Sequence, residues 1–177
     1  MLSAISREDI RLVYTFKSKL GSGSYGSVRT AYKTVSPETV FSVKSIRREN
    51  IEKSREDENE LISELLILLA LDHPNIVKLY EIYLDHTYLH LVTELLEGGP
   101  IEPGLTEAKR FTEEQAVKMI RQSLQALNYF HKLDIVHRDL KVENILFTAS
   151  KDHVKLIDFG FAQLCNTRKK GKGKAGG

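Results

Sequence analysis

Cys165 is the only cysteine, so no disulfide can close within the chain and no C-x-x-C pair exists to hold a metal. That fits a reducing compartment. Long apolar runs are also missing. The longest, Leu65 to Leu71, is far shorter than the ~20 residues that cross a bilayer. The start, MLSAISREDI, has no basic flank ahead of an apolar stretch, so it does not read as a secretory signal, and Leu2 excludes N-myristoylation at this start. The expectation is a soluble, intracellular, cytoplasmic protein with no membrane anchor. Excess charge of one sign is lacking as well, because the net charge is only +2. Strong nucleic-acid binding is therefore not expected. Repeats of useful length and calcium loops of the D-x-D-x-D-G type are absent from the sequence.

What remains is a chain of 177 residues, 41% hydrophobic and 28% charged, enough for one sizeable core or two small lobes. Val13 to Ile46 is rich in β-branched and aromatic residues and is broken by Gly21, Gly23, Gly26 and Pro37, which predicts three strands with tight connections. Glu49 to Leu71 has no Gly or Pro and reads as a helix. Its buried face is carried by Leu61, Leu65, Leu68 and Leu69, and His73-Pro74 ends it. Ile76 to Tyr83 and Tyr88 to Leu95 read as two further strands. Gly98 to Arg110 reads as a linker into a helical second lobe. Thr112 to His131 is a helix with a T-x-x-Q capping box at Thr112 and Gln115, and Val117, Ile120, Leu124 and Leu127 share one apolar face. Two short strands follow, Ile145 to Phe147 and Val154 to Ile157. The end is Lys/Gly-rich and reads as disordered.

Four stretches carry residues suited to chemistry. Gly21-Ser22-Gly23-Ser24-Tyr25-Gly26-Ser27-Val28 matches G-x-G-x-x-G-x-V, in which missing Cβ atoms let backbone approach a phosphate. Alone it is a weak signal, and a flexible hairpin turn reads equally well. The strand pattern of Val28 to Val35 after it differs from a dinucleotide-binding loop, which opens a helix. Lys44 shares a strand face with Val40, Ser42 and Ile46, where an ammonium needs an anion; the alternative is an edge lysine reaching solvent. Glu64, the lone acid in the apolar half of the first helix, is a candidate partner. His137-Arg138-Asp139-Leu140-Lys141-Val142-Glu143-Asn144 places polar side chains between two apolar segments. Asp158-Phe159-Gly160 puts a carboxylate at the end of a strand, as a ligand for a hard cation or as an Asx turn.

Taken in order, the Gly-rich loop, Lys44, Glu64, HRDLKxxN and DFG closely resemble the signature set of eukaryotic protein kinases, over about Tyr14 to Ala162. Leu71-Asp72-His73-Pro74-Asn75-Ile76-Val77 and Lys141 are similar to the serine/threonine type, in particular its calcium/calmodulin-regulated and calcium-dependent group. The resemblance implies an α+β, bilobal kinase fold. Its first lobe is complete, with a five-stranded antiparallel sheet and one main helix, and its second lobe is partial and mainly helical. It implies a kinase domain over 14–164, divided near residues 96 and 97, followed by a tail over 165–177.

It also implies roles. The backbone of Gly21, Ser22, Gly23, Ser24, Tyr25 and Gly26 would cover the phosphates of ATP. Lys44 would contact them, held by Glu64. Leu20, Val28, Ser42 and Leu146 would sandwich the adenine, and the backbone from Glu94 to Leu96 would bond its edge, with Thr93 behind it. Asp139 would orient and deprotonate the hydroxyl of a Ser/Thr protein substrate, Lys141 would steady the transferring group, and Asn144 and Asp158 would hold Mg2+. Leu68, Leu79, His137 and Phe159 would stack into a spine between the lobes, and Arg138 implies control by the activation segment.

Some positions depart from the family pattern. Ser42 replaces an alanine, Val142 a proline, and Pro100 stands where a glutamate is common. No APE motif follows DFG, so the expectation is a domain truncated at its C-terminus, with marginal stability and uncovered apolar faces. A non-catalytic ATP-binding or regulatory fragment is the competing reading. The cations between Arg168 and Lys174 could also touch nucleic acid or acidic lipid, although a solvated tail is the simpler reading.

Overall fold

The computed structural model describes residues 5–23, 26–52, 65–66, 68–102, 111–158 and 162–164. Ser24, Tyr25, Glu64, Phe159 and the Lys/Gly-rich tail lie outside the described residues.

The first lobe is a six-stranded sheet whose neighbours run Ile5–Ser6, Leu79–Leu84, Tyr88–Glu94, Ser36–Arg47, Gly26–Lys33 and Tyr14–Gly23. The apolar-rich stretch after Val13 forms β2 (Tyr14–Gly23), β3 (Gly26–Lys33) and β4 (Ser36–Arg47). β5 (Leu79–Leu84) and β6 (Tyr88–Glu94) complete the five expected antiparallel strands. Sequence pattern gave no warning of β1 (Ile5–Ser6), which adds to the edge in parallel, with Ile5 opposite Ile82 and Ser6 opposite Tyr83. A short helix, α1 (Ile10–Val13), follows it. Asp9 caps α1, its carboxylate accepting from the Arg11 N–H.

The two faces of the sheet bury different clusters. One holds Ile10, Tyr14, Ala31, Val43, Tyr83 and Val92, with Tyr14 edge-on to Phe41 and Tyr83. The other joins Ile46, Leu65, Leu68, Leu79, Ile82 and Leu91 to residues of the second lobe, among them Ala126, Phe130 and Leu156. A single core therefore runs through both lobes. α2 (Arg48–Glu52) and helical residues 65–66 and 68–70 lie in the predicted helix; the stretch 53–64 lies outside the described residues.

The segment after His73-Pro74 departs from expectation. Asn75 to Val77 do not extend β5 but cross to the second lobe. There the Leu156 N–H donates to the Asn75 carbonyl and the Val77 N–H to the Leu156 carbonyl, both at 2.9 Å. The strand β10 (Val154–Leu156) offers free backbone groups on that side, and Asn75 to Val77 satisfy them.

In the second lobe, α3 (Glu113–Lys132) begins at Thr112 with both halves of the predicted capping box. Its first turn is acidic and its last turn basic, as the helix dipole favours. The buried face is Gln122, Ala126 and Phe130, at spacings of four. The predicted stripe is largely outside it: Leu127 packs on the core, while Val117, Ile120 and Leu124 are 58–59% exposed. The expected linker also starts as structure. β7 (Gly99–Pro100) pairs with β9 (Ile145–Phe147), which pairs with β10. Gly98 lies so close to this hairpin that a Cβ there would fall 2.1 Å from the Thr148 carbonyl oxygen. Finally, β8 (Ile135–Val136) pairs with β11 (Gln163–Leu164), so the HRD-type loop starts from one paired strand and runs into another, β9.

Candidate active site

The hairpin between β2 and β3 carries the glycines. Gly21 faces Val28, Ser22 faces Ser27 and Gly23 faces Gly26. The loop thus joins strand to strand, as predicted. Gly26 cannot be replaced without movement, because a Cβ there would lie 1.9 Å from the Ser45 carbonyl oxygen. On the neighbouring strands Val28 is opposite Lys44, which is opposite Leu91; two residues along β4, Ser42 is opposite Thr93. Period two places Val28, Ser42, Lys44 and Thr93 on the sheet face turned to the second lobe. Leu20 is exposed at the mouth, Leu96 packs against the core, and Leu146 lies half-buried in β9 across from Pro100.

Lys44 is not an edge lysine reaching solvent. Its ammonium donates to the Asp158 carboxylate, with both side chains 23% exposed. Glu64, the expected partner, lies outside the described residues. Asp158 stands two residues beyond the end of β10, after Ile157, and has φ 64°, a left-handed backbone that non-glycine residues adopt at a cost. Arg138, between β8 and Asp139, is also left-handed, with φ 62°.

The loop before β9 is fixed by a chain of hydrogen bonds. His137 is 3% exposed; its Nε2 lies 3.1 Å from the Ile157 carbonyl, and its Nδ1 accepts from the Asp139 N–H at 3.3 Å. These partners require the proton on Nε2. Asn144, buried at the end of a 3-10 turn (Val142–Asn144), donates Nδ2 to the Asp139 carbonyl at 2.8 Å and to its Oδ2 at 2.9 Å. The Asn144 carbonyl accepts from the Ile157 N–H at 2.9 Å, which sets Asp158 beside it. Lys141 Nζ reaches the Asp139 carboxylate at 2.9 Å.

Electrostatics follow from that geometry. Partial burial pushes the Asp139 carboxyl up. The hydrogen bonds from Lys141 and Asn144, and the Lys141 charge, outweigh it and hold the group below its ordinary value. The Lys141 ammonium is shifted up, first by its bond to Asp139. The site therefore presents an ionised carboxylate able to take a proton from a bound hydroxyl and an adjacent cation. Asn144 spends its amide nitrogen on Asp139, which leaves its side-chain Oδ1 as a ligand atom for a hard cation near the Asp158 carboxylate.

Of the predicted residues, the structure brings Lys44, Asp139, Lys141, Asn144 and Asp158 together; Ser24, Tyr25 and Glu64 lie outside the described residues. Two supporting residues escaped sequence reasoning. Gln122 on α3 is buried and accepts from Asn75 Nδ2 at 3.0 Å and from the Val154 N–H at 2.8 Å. Asn75 Nδ2 also donates to the Val154 carbonyl at 2.8 Å. A polar residue in line with Ala126 and Phe130 was the one available signal for Gln122.

A family model described as "Protein kinase domain" matches residues 14–176. The chain belongs to the protein kinase family. Its relatives include calcium-dependent protein kinase 5 of Plasmodium berghei (strain Anka), 40% identical over 166 residues, 91% of this chain and 28% of that protein. Calcium/calmodulin-dependent protein kinase type 1 of Macrobrachium nipponense is 37% identical over 153 residues, 85% of this chain and 44% of that one. This kinase chain thus spans less than half the length of either relative. Its sheet-rich first lobe and its second lobe, whose long helix is α3, form the α+β kinase fold that its motifs implied. Among the described residues, no helix is long and apolar enough to cross a membrane.

Proposed function

We propose that the chain is the nucleotide-binding and phosphoryl-transfer part of a serine/threonine protein kinase, spanning about residues 14–164, that uses ATP and Mg2+. One observation carries the reading: Asp139, Lys141 and Asn144 form one hydrogen-bonded cluster, and Lys44 from the opposite lobe reaches Asp158 beside it. Asp139 orients the substrate hydroxyl and accepts its proton, which its lowered pKa permits at neutral pH. Lys141 offsets negative charge on the transferring group. Asn144 and Asp158 would supply oxygen ligands that suit Mg2+. When bound, the metal neutralises charge on the phosphates.

Lys44 contacts the phosphates once freed from Asp158, and Glu64 is proposed to hold it there. Backbone of Gly21 to Gly26 covers the phosphates. Leu20, Val28, Ser42 and Leu146 enclose the adenine, and Glu94 to Leu96 bond its edge. Lys141 in the HRDLK sequence supports Ser/Thr hydroxyls as substrates.

Thermal melting with and without ATP and Mg2+ tests the nucleotide half of this reading. Wild-type protein should be stabilised by ATP in a Mg2+-dependent way, and Lys44→Met and Asp158→Asn should each lose most of the shift. An equal shift in all three proteins would contradict these assignments.

A further inference from the structure

The adenine-edge residues begin at Glu94, and Glu94 is fastened from two directions. Its N–H donates to the Lys78 carbonyl at 3.0 Å, and its Oε1 accepts from the Lys78 N–H at 2.8 Å. The same Oε1 accepts from Lys155 Nζ at 2.5 Å. This pair is well shielded, with side chains 16% and 23% exposed for Lys155 and Glu94, unlike surface pairs such as Arg47–Glu49 at 58% and 61%.

Lys155 belongs to the other lobe. It is the central residue of β10, three positions before Asp158, and faces Leu146 across the β9–β10 pair. Cross-strand partners share a face, so Lys155 and the proposed adenine floor Leu146 project to the same side. β10 is itself held on its free side by Asn75, Val77 and Gln122. The strand cannot easily shift to follow a moving partner, so the ion pair transmits its position to Glu94.

We infer that Lys155 is a positioning residue for the nucleotide. It fixes the backbone of residues 94–96, where the base binds, to the strand that leads into Asp158, where the phosphates and metal bind. The two ends of the cleft are thereby kept in register. The inference rests on the nucleotide reading above. Removing the ammonium leaves a shielded carboxylate with the Lys78 N–H as its remaining donor, and the backbone of residues 94–96 then moves to rehydrate it.

Titration of the full chain with adenosine, which has no phosphate, isolates the base end. Lys155→Met should weaken adenosine binding about tenfold, the size expected when a part-buried acceptor loses a donor. Lys155→Arg should recover most of that loss. Glu94→Gln should cost a similar factor, and the double variant no more than either single one, since both remove one interaction. Equal adenosine affinity in wild type and Lys155→Met overturns the inference, whatever happens to the melting temperature, because an ion pair serving only stability would change melting alone. Additive losses in the double variant overturn it too. If Lys155→Met gives no cooperative melt, Glu94→Gln decides, because it keeps an acceptor for Lys78: unchanged adenosine affinity then overturns the inference. Absence of adenosine binding by the wild-type chain overturns the nucleotide reading, and the positioning role with it.

Discussion

The Asp139 carboxylate is balanced by Lys141 and Asn144. Its folded pKa lies below the unfolded value near 3.9, so the cluster stabilises the fold above that pH and loses this contribution as pH falls through the lowered pKa. Lys141 has the opposite sign: its contribution is present below about 10.4 and is lost as pH rises through its raised pKa. His90 matters nearer neutrality. Its ring is 8% exposed on the sheet between Ser45 Oγ at 2.8 Å and Asp85 at 3.3 Å. Burial pushes its pKa down, and the pull of Asp85 only partly offsets it. Neutral His90 therefore stabilises the fold above the unfolded value near 6.5, and stability declines as pH falls from there toward the lowered folded pKa. His73, also lowered by burial, acts in the same direction. Melting temperature should drop between about pH 7.5 and pH 5.5, and His90→Gln should flatten that drop. An unchanged slope in His90→Gln would assign the effect elsewhere. The Asp139–Lys141–Asn144 cluster was legible because its residues stand close in sequence. The Lys44–Asp158 contact was not, since the two are more than a hundred residues apart (114) and both face a cleft that only the fold defines.

Elements were legible where a local rule decides them. Thr112 and Gln115 announce the start of α3 through a capping box that needs no tertiary partner, and the glycines between β2 and β3 announce a hairpin. Legibility failed where a distant backbone sets the demand. Gln122 is buried because the edge of β10 presents unpaired groups that a polar side chain must satisfy, whereas apolar periodicity assigns burial to Val117, Ile120 and Leu124. For the same reason Asn75 to Val77 pair with β10 rather than extend β5. The two residues of β1 are too few to show a period. Gln122→Leu keeps the volume but strands the Val154 N–H and takes from Asn75 Nδ2 one of its two acceptors. It should cost about 1–3 kcal/mol in urea unfolding, well above the few tenths typical of surface sites. A neutral result would show that these groups find other partners.

Across the whole molecule, one apolar core joins the lobes while the stripe of Val117, Ile120 and Leu124 on α3 faces outward. Such a stripe promotes self-association. The paired change Ile120→Lys and Leu124→Glu should raise the concentration at which the chain stays monomeric in sedimentation, with little change in melting temperature. A large loss of melting temperature would instead show that the stripe is packed in solution.

This cleft is proposed to bind ATP, and Asp139 to direct transfer from it. Both roles are tested most directly by following peptide phosphorylation and ATP-induced thermal stabilisation in the same samples of wild type and Asp139→Asn. Nucleotide stabilisation is expected in both proteins and phosphoryl transfer in wild type, with a loss of about 100-fold or more in the variant. Stabilisation without transfer in wild type would leave a nucleotide-binding module, and equal transfer by both proteins would contradict the role of Asp139.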